Sequence, residues 1–524
     1  MPNPFATGRH AGILVPLFSI PSSRSWGIGE IPDLGRFARW AREAGQDFVQ
    51  LLPVTAVAER ETSPYSALSA MAIDRAYVAI DELQDFRDIG GEHGMREDLR
   101  ARLERARASS TVEYLEVREL KALAFEAAFG HFHHQHWMRD TQRAAELRAF
   151  IERERWWLDD YALFRALRKE NEFRPWWEWE EALRRRDPDA LSRASGTLER
   201  DILLHKYVQW VADSQWHAVK ADAGVGVFGD YPFMVSRDSA DVWARQGDFL
   251  HEECVGTPPD AFSETGQNWG LPVYRWDVMA ENDYAWLRQR ALRSASLYDG
   301  YRIDHLVGFY RTFVRPPDGE PYFTPATEPD QLAQGERLMQ IFLSSGPVII
   351  AEDLGVIPDF VRASLQRLHL PGYRVLRWER DWHADGKPFN DPRRWPATSV
   401  GTSGTHDTEP LVEWWNNADL DERRKFLELP HFARLGLSPG ASLTPRFRDA
   451  ILNALFQSGS NYLILPMGDV FGWADRINTP AVTGDRNWRW RLPWPVDALN
   501  HQAEARERAA FLRSESERSG RLRV

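Results

Sequence analysis

Cysteine is almost missing from this chain. Cys254 is the only one in 524 residues, so no intrachain disulfide can form, which fits a reducing, cytoplasmic setting. Long apolar runs are missing too: no stretch approaches the ~18 residues that a membrane span requires. Arg9-His10 followed by residues 11–20 has the outline of a short signal peptide. Pro16 and Pro21 interrupt it and no cleavage site follows, so residues 13–19 read instead as a buried strand. An excess of positive charge is absent. The 65 Lys and Arg against 77 Asp and Glu leave a net charge of −12, which speaks against nucleic acid or an anionic membrane as the main partner. Internal repeats and low-complexity linkers are absent as well, so nothing divides residues 1–524 into separate domains.

What is present points to chemistry at strand ends. The stretch Tyr301-Arg302-Ile303-Asp304-His305 closes residues 297–303, which read as a short buried strand. Such a strand in a parallel sheet should be almost wholly apolar. Ionisable residues break that rule here at the C-terminal tip, where barrels and open α/β folds carry their active sites. A surface Arg–Asp pair capping the strand would look the same, so one tip decides little. Two more follow. Pro347-Val348-Ile349-Ile350-Ala351 runs into Glu352-Asp353, and the Gly-containing segment 398–405 ends in His406-Asp407. Three tips thus deliver Asp304, Glu352 and Asp407, with Arg302 and His406 beside two of them. Converging carboxylates, one as nucleophile and one as proton donor, are the equipment of glycoside chemistry.

Read in order, short apolar segments alternate with helical ones. Strands are expected at 13–19, 47–53, 227–235, 299–304, 347–352, 372–376, 398–405 and 462–465. Asp33 is placed to cap a helix through Phe37 and Trp40 that Gly45 ends. The βαβ pattern makes the strands parallel, and eight of them make a (β/α)8 TIM barrel. From about 81 to 223 the pattern is helical and charged. Two motifs there mislead. Gly224 to Gly229 matches the dinucleotide pattern G-x-G-x-x-G, but it follows a helix and leads into a strand, the reverse of what that motif needs. His131, His133, His134 and His136 invite a metal reading, yet no cysteine or strand tip is near, and helix-surface histidines explain them.

Arg-Ile-Asp-His at 302–305, Ala-Glu-Asp-Leu-Gly at 351–355 and Thr-His-Asp at 405–407 resemble the motifs of the amylomaltases. These are the 4-α-glucanotransferases of glycoside hydrolase family 77, in the α-amylase clan. The resemblance covers most of the chain. It includes Ser63-Pro64-Tyr65-Ser66, where Tyr65 would touch glucan, and Gly229-Asp230-Tyr231-Pro232, where Asp230 would face the sugar. Residues 256–270, with Asp260, Phe262 and Trp269, resemble the family's active-site loop. Ile477-Asn478-Thr479-Pro480 and Asn487-Trp488-Arg489-Trp490-Arg491 resemble its last motif near the cleft. The implied architecture is a single catalytic (β/α)8 barrel with a mainly helical insertion at 81–223, a lid loop at 250–275 and no separate C-terminal β-domain. Of the 23 Trp, 27 Phe and 14 Tyr, some would stack on sugar rings, though most must be core.

The resemblance also implies roles. Asp304 would be the nucleophile on the anomeric carbon, with Arg302, two residues earlier on the same strand face, placed to pair with it. Glu352 would be the acid, its proton retained by burial or a neighbouring negative charge. Asp407 would stabilise the oxocarbenium-like transition state. His305 and His406 would bind hydroxyls or order their loops. A nucleophile and acid about 5 Å apart imply retention. No metal or organic cofactor is called for. The expected activity is transfer of α-1,4-glucan segments from a maltooligosaccharide or amylose donor to a sugar acceptor by double displacement. An α-glucan hydrolase of the same clan is the alternative. A non-catalytic glucan-binding protein would not need the full carboxylate set. Leu271, Leu306-Val307 and Thr408 depart from the family pattern, which bears on donor and acceptor preference and not on the carboxylates.

Overall fold

Short apolar segments, each buried along nearly its whole length, set the architecture. In the computed structural model, which describes residues 3–259, 265–480, 482, 484 and 486–522, the strands in chain order are β1 (His10–Leu14), β2 (Phe48–Gln50), β3 (Gly226–Tyr231), β4 (Phe249–Thr257), β5 (Gln267–Tyr274), β6 (Gly300–Ile303), β7 (Thr312–Arg315), β8 (Tyr322–Thr324), β9 (Val348–Ala351), β10 (Gly372–Val375), β11 (Ser399–Thr402) and β12 (Tyr462–Pro466). Eight of them close a barrel in the order β1-β2-β3-β6-β9-β10-β11-β12, with β12 returning to β1. Every pairing in it is parallel, as βαβ connections require. This is a (β/α)8 TIM barrel. Aromatic rings fill its floor. Phe48 stacks on Phe228 at 4.2 Å, and Gly12 is needed beside them because a Cβ there would lie 2.4 Å from the Phe48 ring.

The strands fall where the apolar runs are, with shorter bounds. β1 is displaced most. The sequence predicts a strand at 13–19, but β1 ends at Leu14, the last ladder bond runs from the Val15 N–H to the Gln50 carbonyl at 3.0 Å, Pro16 has no N–H to give, and Leu17–Ser19 is a 3-10 turn. β3 likewise ends at Tyr231, before Pro232. The first helix is Ile31–Glu43 and its cap is Glu30, not Asp33. Asp33 sits inside the first turn and closes a capping box, its carboxylate accepting the Glu30 N–H at 2.8 Å.

Between β2 and β3 run the long helices Glu97–Ala108, Tyr114–Phe132, Gln142–Glu170 and Glu199–Asp222. Lys121 fastens them to the barrel. Its buried ammonium donates to the Glu30 carboxylate at 2.6 Å and to the carbonyls of Ala76 and Val78 at 2.6 and 2.8 Å. A second, antiparallel sheet of order β5-β4-β7-β8 is not visible in the sequence pattern. Residues 256–270, read as a loop, instead give their flanks to β4 and β5, which pair with each other. Both strands are half-exposed and interrupted by bulges, so the alternation that marks a strand is blurred.

The helix Ala503–Arg518 returns the chain to the barrel's N-terminal rim. There the buried Arg521 guanidinium donates to the carbonyls of His10, Asn461, Ser460 and Phe456 at 3.0, 2.9, 2.6 and 3.1 Å. These residues start, or lead into, β1 and β12, so one side chain staples the seam where the last strand meets the first. Among the described residues no helix is long and apolar enough to cross a membrane.

Candidate active site

The barrel register sets the carboxylates side by side. Asp230 of β3 lies opposite Arg302 of β6, and Ile303 lies opposite Ala351 of β9. The ladder extends one residue further. The Asp304 N–H donates to the Tyr231 carbonyl at 3.0 Å and the Glu352 N–H to the Ile303 carbonyl at 3.1 Å. Asp304 and Glu352 therefore leave neighbouring strand tips in step.

Arg302 is the hub. Its Nη1 donates to both oxygens of Asp230, at 2.9 and 2.8 Å. Its Nη2 lies 2.8 Å from Asp304 Oδ1 and 3.9 Å from Glu352 Oε2, so those oxygens are no further apart than the sum of the two distances. Burial opposes charge on the guanidinium, but Asp230 and Asp304 outweigh it and hold the proton far more tightly than usual.

The two carboxyls opposite Arg302 hold their protons more tightly than an exposed acid does. Burial pushes Glu352 up to about 7; Arg302 opposes this, and the charge of Asp304 adds to it. Its oxygens accept the N–H groups of His305 at 2.8 Å and Leu354 at 3.0 Å, which fix the carboxyl in place. Burial likewise pushes Asp230 up to about 6 against the pull of Arg302.

The third carboxylate behaves in the opposite way. Loss of water works against ionisation of Asp407, but His406 Nε2 at 3.2 Å and the Asn478 amide at 2.7 Å prevail and hold it well below the usual carboxylate range. His406 is raised in turn: burial favours the neutral ring, and Asp407 reverses that. Tyr65 connects this corner to the hub. Its hydroxyl donates to Asp230 Oδ2 at 2.9 Å, so His406 Nε2, 3.0 Å from the Tyr65 hydroxyl oxygen, must be the donor to it. The Tyr65 and His406 rings stack at 5.3 Å, and Trp488 packs against both, at 5.7 and 5.9 Å.

His305 takes a left-handed backbone, φ 45°, which a non-glycine residue adopts only when held there. That turn aims its N–H at Glu352. Its ring packs edge-on against Trp269 at 4.7 Å and Phe233 at 5.6 Å, and burial pulls it down to about 4. Trp269 lies on β5, so the second sheet reaches the rim of the carboxylate cluster.

The structure thus gathers Tyr65, Asp230, Trp269, Arg302, Asp304, His305, Glu352, His406 and Asp407 at one end of the barrel. Asp260 and Phe262 lie outside the described residues. Sequence reasoning did not single out Asn478 or Trp488, although both stand in motifs it noted. A buried amide beside a carboxylate has no spacing signature. Among the described residues the metal-type donors Asp85, Asp88 and His131 also come together. A cation is already in place there, because Arg143 grips Asp85 with two bonds of 2.7 Å and the Tyr207 hydroxyl adds one of 2.8 Å.

Comparison with known proteins agrees with this geometry. The family described as 4-alpha-glucanotransferase, glycoside hydrolase family 77, matches residues 15–497. The 4-alpha-glucanotransferase of Thermus thermophilus is 34% identical, covering 95% of this chain and 99% of its own. That of Chlamydia pneumoniae is 31% identical, covering 93% and 92%. Among solved structures, the amylomaltase of Streptococcus agalactiae in complex with acarbose superposes with a TM-score of 0.82 at 26% identity, covering 98% of this chain and all of that one. With a family match over nearly its whole length and a closed barrel carrying three carboxylates at one rim, this chain belongs to the 4-alpha-glucanotransferases of glycoside hydrolase family 77.

Proposed function

We propose that the chain moves α-1,4-glucan segments from a maltooligosaccharide or amylose donor to a sugar acceptor, in the cytoplasm, by double displacement at Asp304. The observation that carries this reading is the pair of carboxyls around Arg302 Nη2, one at 2.8 Å and the other at 3.9 Å with its proton held up to about pH 7. In the first step an Asp304 oxygen attacks the anomeric carbon while the Glu352 proton passes to the glycosidic oxygen. The bond between them breaks, and the departing chain leaves with a free 4-hydroxyl. In the second step the Glu352 carboxylate takes the proton of an acceptor 4-hydroxyl, whose oxygen displaces Asp304. Two inversions return the α-configuration, consistent with closely spaced carboxyls. Asp407, ionised beside His406 and Asn478, faces the positive charge that develops on the sugar. Tyr65, Asp230 and His305 position the ring.

Transfer must outpace hydrolysis although water is present at ~55 M. Bound acceptors reach effective molarities of about 10⁵ M or more, which is sufficient if the acceptor is held in line. Trp269, on β5 beside His305, supplies the surface for that. The test is incubation with maltotriose, with all products and reducing ends followed over time. Transfer gives glucose plus longer maltooligosaccharides at a nearly constant number of reducing ends. A rise of one reducing end for each bond cut, from the first minutes, would make the protein a hydrolase.

A further inference from the structure

The apolar run of β9 ends in two acids, and only the first has been given a role. Glu352 turns to Arg302. Asp353 turns the other way, toward β10 and the helix Asp359–Arg367, and is buried at 6% exposure. Its Oδ1 accepts the Tyr373 N–H at 2.7 Å, and its Oδ2 lies 3.5 Å from the Arg362 guanidinium and 3.7 Å from that of Arg374. A buried carboxylate that grips a backbone N–H fixes both chains it joins.

The place of that grip matters. On one side of β9 the ladder runs past Ala351, because the Glu352 N–H donates to the Ile303 carbonyl at 3.1 Å. On the other side the register with β10 ends at the pair Ala351–Gly372. Beyond it the tip of β9 is tied to β10 through the Asp353 side chain. Gly372 leaves the room for this, since a Cβ there would lie 2.4 Å from Asp353 Oδ2.

The tie bears on the acid through the backbone. Glu352 Oε1 accepts the Leu354 N–H at 3.0 Å, so the turn 352–354 must hold its shape for that bond to form. Asp353 is the middle residue of the turn. Its anchor on Tyr373 sets where the Leu354 N–H points, and with it where the Glu352 carboxyl stands relative to Asp304 and Arg302.

We infer that Asp353 is a positioning residue for the proton donor: it pins the turn 352–354 to β10 and thereby holds the Glu352 carboxyl in its working place. The inference rests on the proposed transfer, in which Glu352 protonates the leaving oxygen.

The test compares two donors that differ in their need for an acid. A sugar leaving group takes the Glu352 proton, whereas fluoride departs as the anion. In Asp353→Ala, kcat for maltotriose should fall by about 30-fold or more, because a misplaced acid forfeits much of its effect. The first burst of fluoride from α-maltosyl fluoride should stay within about three-fold of wild type, since that step needs no proton. Asp353→Asn keeps an oxygen for the Tyr373 N–H and should recover most of the loss. Equal losses on the two donors, no loss on maltotriose, or an Asn variant as impaired as the Ala variant would each overturn the inference. Should Asp353→Ala fail to fold, Gly372→Ala, whose Cβ displaces the same carboxylate, is put through the same comparison and read the same way. Glu352→Gln is the control. If it loses the fluoride burst as severely as maltotriose turnover, the assignment of the acid falls. If it spares the burst and Asp353→Ala does not, only the role of Asp353 falls.

Discussion

Arg302 and Arg521 are both buried guanidinium groups at ends of barrel strands, 6% and 0% exposed, and their surroundings are opposite. At the C-terminal rim, Arg302 faces the carboxylates of Asp230 and Asp304, with Glu352 close by, and its proton is bound far more tightly than usual. At the N-terminal rim, Arg521 faces main-chain carbonyls. Burial and the nearby Arg9 pull it down to about 9, with Asp47 opposing. The upper arginine is thus part of a charge system whose members hold protons to different degrees. The lower one is a set of hydrogen-bond donors that fit a seam. A barrel can keep chemistry at one rim and closure at the other, and here one residue type does both.

The sharpest way to break the comparison is at the upper rim. Asp304→Asn and Glu352→Gln should each leave a folded protein with at least ~10³-fold less glucan transfer, since in the proposed mechanism each removes a distinct covalent or proton-transfer step. Asp407→Asn should also be severely impaired. Near wild-type turnover in a clean preparation of Asp304→Asn or Glu352→Gln would show that the reaction runs elsewhere.

The two arginines themselves come next. Arg302→Leu strands Asp230 and Asp304 without their cation, so activity and thermal stability should fall together, the latter by about 3–5 kcal/mol. Arg521→Leu removes only the staple. It should cost about 2–4 kcal/mol of stability through unsatisfied carbonyls, with kcat/KM per folded molecule within about two-fold of wild type. Denaturant unfolding and maltotriose kinetics on both variants separate the cases. Loss of activity in folded Arg521→Leu would erase the division between rims.

A gentler probe is pH. In the proposed double displacement Glu352 donates a proton, so kcat/KM should decline as pH rises through about 7. Stability carries the same signature. The folded carboxyl binds its proton more tightly than an unfolded one, so the native state holds more protons from the ordinary carboxyl value up to about pH 7. Its contribution is therefore greatest in acid and is lost as pH rises across that window, on the order of 3 kcal/mol in all. Glu352→Gln should flatten this decline and unfold at a higher temperature than wild type at pH 8. A wild-type activity limb that stays flat from pH 6 to 9 would place the acid elsewhere.

Much of the upper rim was legible in the sequence, because buried parallel strands are apolar and charged tips stand out against them. Arg302, Asp304, Glu352 and Asp407 are all of that kind. The lower rim was not. Arg521 lies in a polar C-terminal tail, and nothing in its neighbours shows that the guanidinium reaches carbonyls at the start of β1 and β12. The second sheet was hidden for a different reason: β4 and β5 are half-exposed and bulged, so no alternation survives to be read. Asn478 and Trp488 escaped because their function is to touch Asp407, His406 and Tyr65 across sequence gaps that no local pattern records.

The central claim is the covalent bond at Asp304. Glu352→Gln incubated with an α-maltosyl fluoride tests it most directly, because fluoride leaves without a proton and the second step then lacks its base. Mass spectrometry of the digested protein should find the peptide containing Asp304 heavier by one maltosyl group. Turnover of the fluoride with no adduct, or an adduct on a peptide without Asp304, would contradict double displacement at this residue.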